Sequence, residues 1–135
     1  MMKENGFIFL VDDSTTVSNI LSAVIQGIGD LTVQDFQTGE LMIQQLSVDK
    51  PKLIILDYIL DTKDTGAMNG ADVLKHIRSE GLEIPVIMLT GINDEKTLSE
   101  LKTMEFDAII HKDSDNLFEQ LQETVKELLA LNNGD

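Results

Sequence analysis

Short apolar runs alternate from one end of the chain to the other with stretches whose apolar positions recur every three or four residues. Gly6-Phe7-Ile8-Phe9-Leu10-Val11 is an apolar run about as long as a buried strand. It ends in Asp12-Asp13-Ser14, where an acid or a hydroxyl can cap a helix N-terminus. Val17, Ile20, Leu21, Val24, Ile25 and Ile28 then follow at helical spacing, closed by Gly29-Asp30. Leu31 to Phe36 reads as a second strand and Thr38 to about Leu46 as a second helix. Pro51 precedes the run Leu53-Ile54-Ile55-Leu56, which ends at Asp57. A polar loop extends from about Leu60 to Met68, and Val73, Leu74 and Ile77 mark a third helix. Pro85 opens Val86-Ile87-Met88-Leu89, a tolerated place for proline in a strand. Asn93 or Asp94 can cap a fourth helix bearing Leu98, Leu101 and Met104. Asp107-Ala108-Ile109-Ile110 is a fifth strand, and a last helix from about Ser114 carries Leu117, Phe118, Leu121, Val125, Leu128 and Leu129 on one stripe.

Strands alternating with helices predict an α/β fold, a mostly parallel sheet with helices on both faces. Three of the strands are continuous apolar runs, as strands covered on both sides are. At 135 residues, with no internal repeat or linker, the chain is expected to be one domain with its core at about 6–131 and no effector domain. The apolar share of 42% suits a globular protein, and with 4% aromatic residues the core must rest on Ile, Leu, Val and Met. No apolar run reaches the length of a membrane span, and the lack of cysteine excludes disulfides and thiolate metal sites. A cytoplasmic location is the expectation. The net charge of −14 would repel a phosphate backbone, so direct nucleic-acid binding is not expected.

In open α/β sheets, ligands bind beyond the carboxyl ends of the strands. The first strand ends in Asp12-Asp13, the third in Asp57, the fourth in Thr90-Gly91 and the fifth runs into Lys112. Any arrangement placing the first strand beside the third and fourth brings three carboxylates, a hydroxyl and an ammonium to one rim. Close carboxylates repel one another unless a cation intervenes. Mg²⁺ suits this set of Asp12, Asp13 and Asp57, because it takes oxygen ligands and leaves positions for phosphate oxygens. Asp57 can then act as a carboxylate nucleophile toward phosphorus, with Lys112 and Thr90 stabilising charge on the phosphoryl oxygens.

These residues resemble a known family, the receiver domains of two-component response regulators, in a chemotaxis-regulator-like form. Asp12-Asp13, Asp57 after an apolar strand, Met68-Asn69-Gly70, Leu89-Thr90-Gly91 and Lys112 stand in the family's order, and the match runs from Phe7 to about Leu131. The resemblance implies a flavodoxin-like sheet of strand order 2-1-3-4-5. It implies a phosphoryl group taken by Asp57 from a histidine kinase or phosphotransfer protein, and a face around the fourth helix, fifth strand and fifth helix that then selects a downstream partner. It also implies direct ligation of the metal by Asp13 and by the backbone carbonyl of Ile59. Phosphorylation and dephosphorylation of itself are the only reactions expected, not those of a conventional enzyme.

The sequence departs from that family in several places. Gly70 lies thirteen residues beyond Asp57, later than is usual, and the extra residues fall around 61–66, with Asp61 and Asp64 as candidates for contacts near the site. Ile109 stands where an aromatic ring is common and reads as a core isoleucine. Asp113 takes the place of a frequent proline after Lys112. The resemblance places Ile59 and Ile92 beside the site at positions that, in that family, tune loss of the phosphoryl group, and neither side chain can position an attacking water. Slow self-dephosphorylation is therefore expected, with a phosphoryl half-life longer than that of an Ile59→Asn, Ile92→Glu variant when both are followed by intact mass.

Two other function classes remain in view. A receiver-like docking module would keep the fold and take no phosphoryl group. A Mg²⁺-dependent phosphatase of the haloacid dehalogenase type would need a second Asp two residues after Asp57, where Ile59 stands. No glycine-rich loop follows the first strand, as a nucleotide binder would require. His76 and His111 read as structural or solvent-facing, the methionines as core filler, and the last helix's stripe can also serve a homodimer.

Overall fold

A computed structural model describes residues 7–12, 15–29, 31–57, 70–90, 99, 103, 106–112 and 115–132, the side chains of 15–17 and 130–132 excepted. The described elements are β1 (Phe7–Val11), α1 (Thr15–Gln26), β2 (Thr32–Phe36), α2 (Gly39–Leu46), β3 (Leu53–Asp57), α3 (Gly70–Ser79), β4 (Val86–Thr90), β5 (Ala108–His111) and α4 (Leu117–Asn132). The five strands form one sheet in the order β2-β1-β3-β4-β5, every neighbouring pair parallel. The predicted α/β class and the strand order implied by the resemblance both hold. The helix expected after Asn93 or Asp94 lies almost wholly outside the described residues, as do the loop from Leu60 to Met68 and Asp113.

Hydrophobic alternation builds two cores, one on each side of the sheet. Successive strand residues point to opposite faces. Phe9, Val11, Ile54, Leu56, Val86 and Met88 pack against Met42 and Leu46 of α2 and Val73, Leu74 and Ile77 of α3. Ile8, Leu10, Leu53, Ile55, Ile87 and Leu89 pack against Leu21 and Ile25 of α1 and Leu121 and Val125 of α4. β3 and β4 are buried along their whole length, whereas the edge strands β2 and β5 are part exposed, because among the described residues each has a strand neighbour on one side.

Local chemistry sets the element ends. Thr38 is the N-cap of α2 rather than its first residue, its hydroxyl accepting the Leu41 N–H at 3.2 Å, a contact worth about 1 kcal/mol. α3 ends on Gly81 at φ 79°, the left-handed conformation that favours glycine. There the Leu82 N–H reaches the Ile77 carbonyl at 3.3 Å and the Gly81 N–H reaches Arg78 at 3.0 Å, the paired bonds of a Schellman terminus.

Two expected core positions differ. Ile20 is 45% and Phe118 46% exposed. Ile20 stands a hundred degrees round the helix from Leu21, outside the Leu21–Ile25 stripe that meets the sheet. Phe118 lies on the flank of the stripe set by Leu121 and Val125, beside the seam with α1 that Gln122 Nε2 bridges to the Val24 carbonyl at 3.1 Å. Ile109 is half-buried against the α2–α3 core, as read from the sequence. Among the described residues, no helix is long and apolar enough to cross a membrane.

Candidate functional site

The strand register decides what meets at the carboxyl rim. Val11 pairs with Leu56, so the residues that follow, Asp12 and Asp57, emerge side by side from adjacent strands. The Asp12 N–H donates to the Phe36 carbonyl at 3.0 Å, carrying the β1–β2 ladder one residue past the strand and fixing the backbone beneath that carboxylate. Asp57 pairs with Leu89, which places Thr90 one residue beyond it on β4. Thr90 pairs with His111, and the Lys112 N–H donates to the Thr90 carbonyl at 2.8 Å. Three strand ends and the start of the turn after β5 thus form a continuous rim.

Both carboxylates are buried, Asp12 at 1% and Asp57 at 2% exposure, and Thr90 is fully buried. Burial of charge is costly without a partner. Lys112 supplies one: its Nζ donates to Asp57 Oδ2 at 2.7 Å and stands 3.7 Å from Asp12 Oδ2, an ion-pair separation beyond good hydrogen-bond length. By strand alternation Asp12, Asp57 and Lys112 follow Leu10, Ile55 and Ile110 on the α1–α4 side of the sheet, which is why one ammonium reaches both carboxylates. Thr90 follows Val86 and Met88 toward the α2–α3 side.

The structure therefore brings together Asp12, Asp57 and Lys112, with Thr90 on the neighbouring strand end. Asp13, Ile59, Asp61, Asp64, Gly91 and Ile92 lie outside the described residues. Among the described residues no three His, Cys, Asp or Glu groups stand together as a metal site, and His76 and His111 are half-buried members of α3 and β5. One residue that sequence reading treated as plain strand is placed differently. Asp107 precedes β5, and its Oδ1 accepts the Val86 N–H at 2.9 Å. The only sequence signal for that role is an acid directly before a short apolar run.

A doubly wound α/β sheet carrying buried carboxylates and a lysine at its carboxyl rim defines a class, that of receiver domains. Residues 8–126 match the family model of the response regulator receiver domain, and the chain belongs to that family, a signalling module of two-component systems. It is 31% identical over 93 residues to the alkaline phosphatase synthesis transcriptional regulatory protein PhoP of Bacillus subtilis, covering 67% of this chain and 35% of that protein. It is 26% identical over 102 residues to a protein-glutamate methylesterase/protein-glutamine glutaminase of Treponema denticola, covering 75% of this chain and 26% of that protein. The chain thus spans about a third or less of the length of these two relatives. Among solved structures it resembles the signal receiver domain of a signal transduction histidine kinase from Syntrophus aciditrophicus, with a TM-score of 0.81, 27% identity, and coverage of 93% of this chain and 90% of that one.

Proposed function

We propose that this receiver is a phospho-accepting switch in which Asp57 takes a phosphoryl group from a phosphohistidine of a kinase or phosphotransfer protein, or from a small phosphodonor. The observation that carries the reading is the Asp57 carboxylate, 2% exposed at the end of β3 and held at 2.7 Å by Lys112 beside a second buried carboxylate. Such a group is shielded from bulk water and stands among charges suited to a transferring phosphoryl.

In the transfer, one carboxylate oxygen of Asp57 attacks phosphorus. The bond from phosphorus to the donor's imidazole nitrogen or acyl oxygen breaks, and the donor leaves with that electron pair. Lys112, already at Asp57, can shift its hydrogen bonds to a phosphoryl oxygen without crossing the site. Thr90 can donate its hydroxyl proton to another.

The donor set also fits a hard divalent cation. Asp12 and Asp57 are buried oxygen donors on adjacent strands, and among the described residues Lys112 offers them one positive charge against their two negative ones. Asp12, Asp13, Asp57 and the Ile59 carbonyl would hold Mg²⁺. When bound, it supplies positive charge to the phosphoryl oxygens during transfer. The phosphorylated rim then alters the surface that meets a downstream protein or effector domain. The net charge of −14 argues against nucleic acid as that direct partner, and a cytoplasmic setting suits a kinase-fed switch.

Incubation with acetyl phosphate and Mg²⁺ followed by intact mass tests the proposal. One added phosphoryl group is expected on the parent, dependent on Mg²⁺ and absent from Asp57→Ala. An adduct that persists in Asp57→Ala would overturn the assignment. No adduct, together with no stable beryllofluoride complex, would leave a docking module in its place.

A further inference from the structure

The carboxyl rim depends on an edge strand of four residues, β5, whose strand neighbour among the described residues is β4. Its first residue beyond the rim end is Lys112, which reaches Asp57 from there. The opposite end of β5 is clasped through Asp107. The Asp107 N–H donates to the Val86 carbonyl at 2.9 Å, and the Asp107 Oδ1 accepts the Val86 N–H, also at 2.9 Å. The same Oδ1 lies 3.5 Å from an Arg78 guanidinium nitrogen. Arg78 in turn donates to the Leu82 and Ile84 carbonyls at 3.0 and 2.9 Å, bracing the connection between α3 and β4. The Schellman terminus at Gly81 delivers those carbonyls to it.

We infer that Asp107, braced by Arg78, is a positioning residue for Lys112, and this rests on the proposed phosphoryl transfer to Asp57. Lys112 lies five residue steps beyond Asp107, a span of about 16 Å along an extended strand. β5 is held by a ladder of four register pairs to β4, and bonds at its two ends close that ladder against sliding. At the rim end the Lys112 N–H donates to the Thr90 carbonyl at 2.8 Å. At the other end the clasp makes Asp107 both donor and acceptor to one residue. A shift of β5 by a fraction of a residue would carry the ammonium off Asp57, and displacement of about 1 Å at a reacting centre can cost up to about a hundredfold in rate.

A double-mutant cycle on initial rates of phosphoryl uptake from acetyl phosphate with Mg²⁺ tests this, at a temperature where circular dichroism shows each variant folded. Asp107→Ala is expected to slow uptake about tenfold in the parent and to add nothing in a Lys112→Ala background. Asp107→Asn keeps the oxygen that accepts the Val86 N–H and is expected within about twofold of the parent. Equal slowing by Asp107→Ala in both backgrounds would mean a general structural role and overturn the inference, as would a parental rate. Should Asp107→Ala not fold, Arg78→Gln takes its place in the cycle. If the parent takes up no phosphoryl group, the proposed switch fails separately. The clasp is then read from the ¹⁵N resonance of Lys112 Nζ, protected from exchange in the parent and exposed in the clasp variant; equal protection in both overturns it.

Discussion

Replacing Lys112 by methionine is expected to slow phosphoryl uptake by Asp57 about 10²- to 10³-fold, the loss that follows removal of one preorganised charge from a transferring group. Methionine keeps most of the apolar stem and removes the ammonium, so packing changes little. The ground state changes in the opposite sense. Without Nζ at 2.7 Å from Asp57 and 3.7 Å from Asp12, two buried carboxylates lose the ammonium between them. Mg²⁺ affinity is therefore expected to rise while the rate falls. The metal-free protein should lose stability, by about 2–3 kcal/mol: removing one member of a buried pair commonly costs more, but Lys112 is 29% exposed and part of its charge is already screened. Added Mg²⁺ should restore much of that loss, because it binds the native state alone. Time-resolved intact mass gives the rate, and thermal melts with and without Mg²⁺ give the rest. A variant that takes up phosphoryl at the parental rate would remove Lys112 from the proposed chemistry.

Phe9→Ala should have the largest effect on stability, a loss of about 3–5 kcal/mol. Phe9 is fully buried at the centre of β1, with its ring 4.9 Å from that of Phe36 in an edge arrangement and 5.6 Å from that of Phe7. Three of the five phenylalanines thus meet in the α2–α3 core, where an alanine would leave a cavity that aliphatic neighbours fill poorly. Domains of this size have only about 5–15 kcal/mol in total, so about a fifth or more of the margin would go. Urea unfolding measures it directly. Phe7→Ala, at the half-buried edge of the same cluster, should cost clearly less, and equal losses would show that the ring stack rather than burial sets the energy.

The two cores and the rim were legible to different degrees. Apolar runs such as Leu53–Leu56 and Val86–Leu89 announce strands buried on both faces, and the periodic Val73, Leu74 and Ile77 announce the helix that covers one of them, because burial imposes those spacings locally. The strand order came from resemblance to receivers, since periodicity says nothing of which strand neighbours which. Ile20 and Phe118 were read into stripes that the packing leaves part exposed. An apolar residue at the edge of a stripe goes in or out according to how far the helix is rolled on the sheet, and that angle is a property of the whole assembly.

By itself, the sequence determined the α/β class, the helix and strand succession, and the residue types that end each strand: Asp12, Asp57, Thr90 and Lys112. These follow from side-chain periodicity and from short-range turn and capping chemistry, which act within a few residues. Only the tertiary structure decided that one ammonium would reach both buried carboxylates, with Asp57 at 2.7 Å and Asp12 at 3.7 Å. It alone decided, too, that Asp107 and Arg78, at the far end of β5, would hold the strand that carries that ammonium. Those contacts join residues far apart in the chain, and they depend on strand register, which neighbouring residues cannot specify without the partner strand in place.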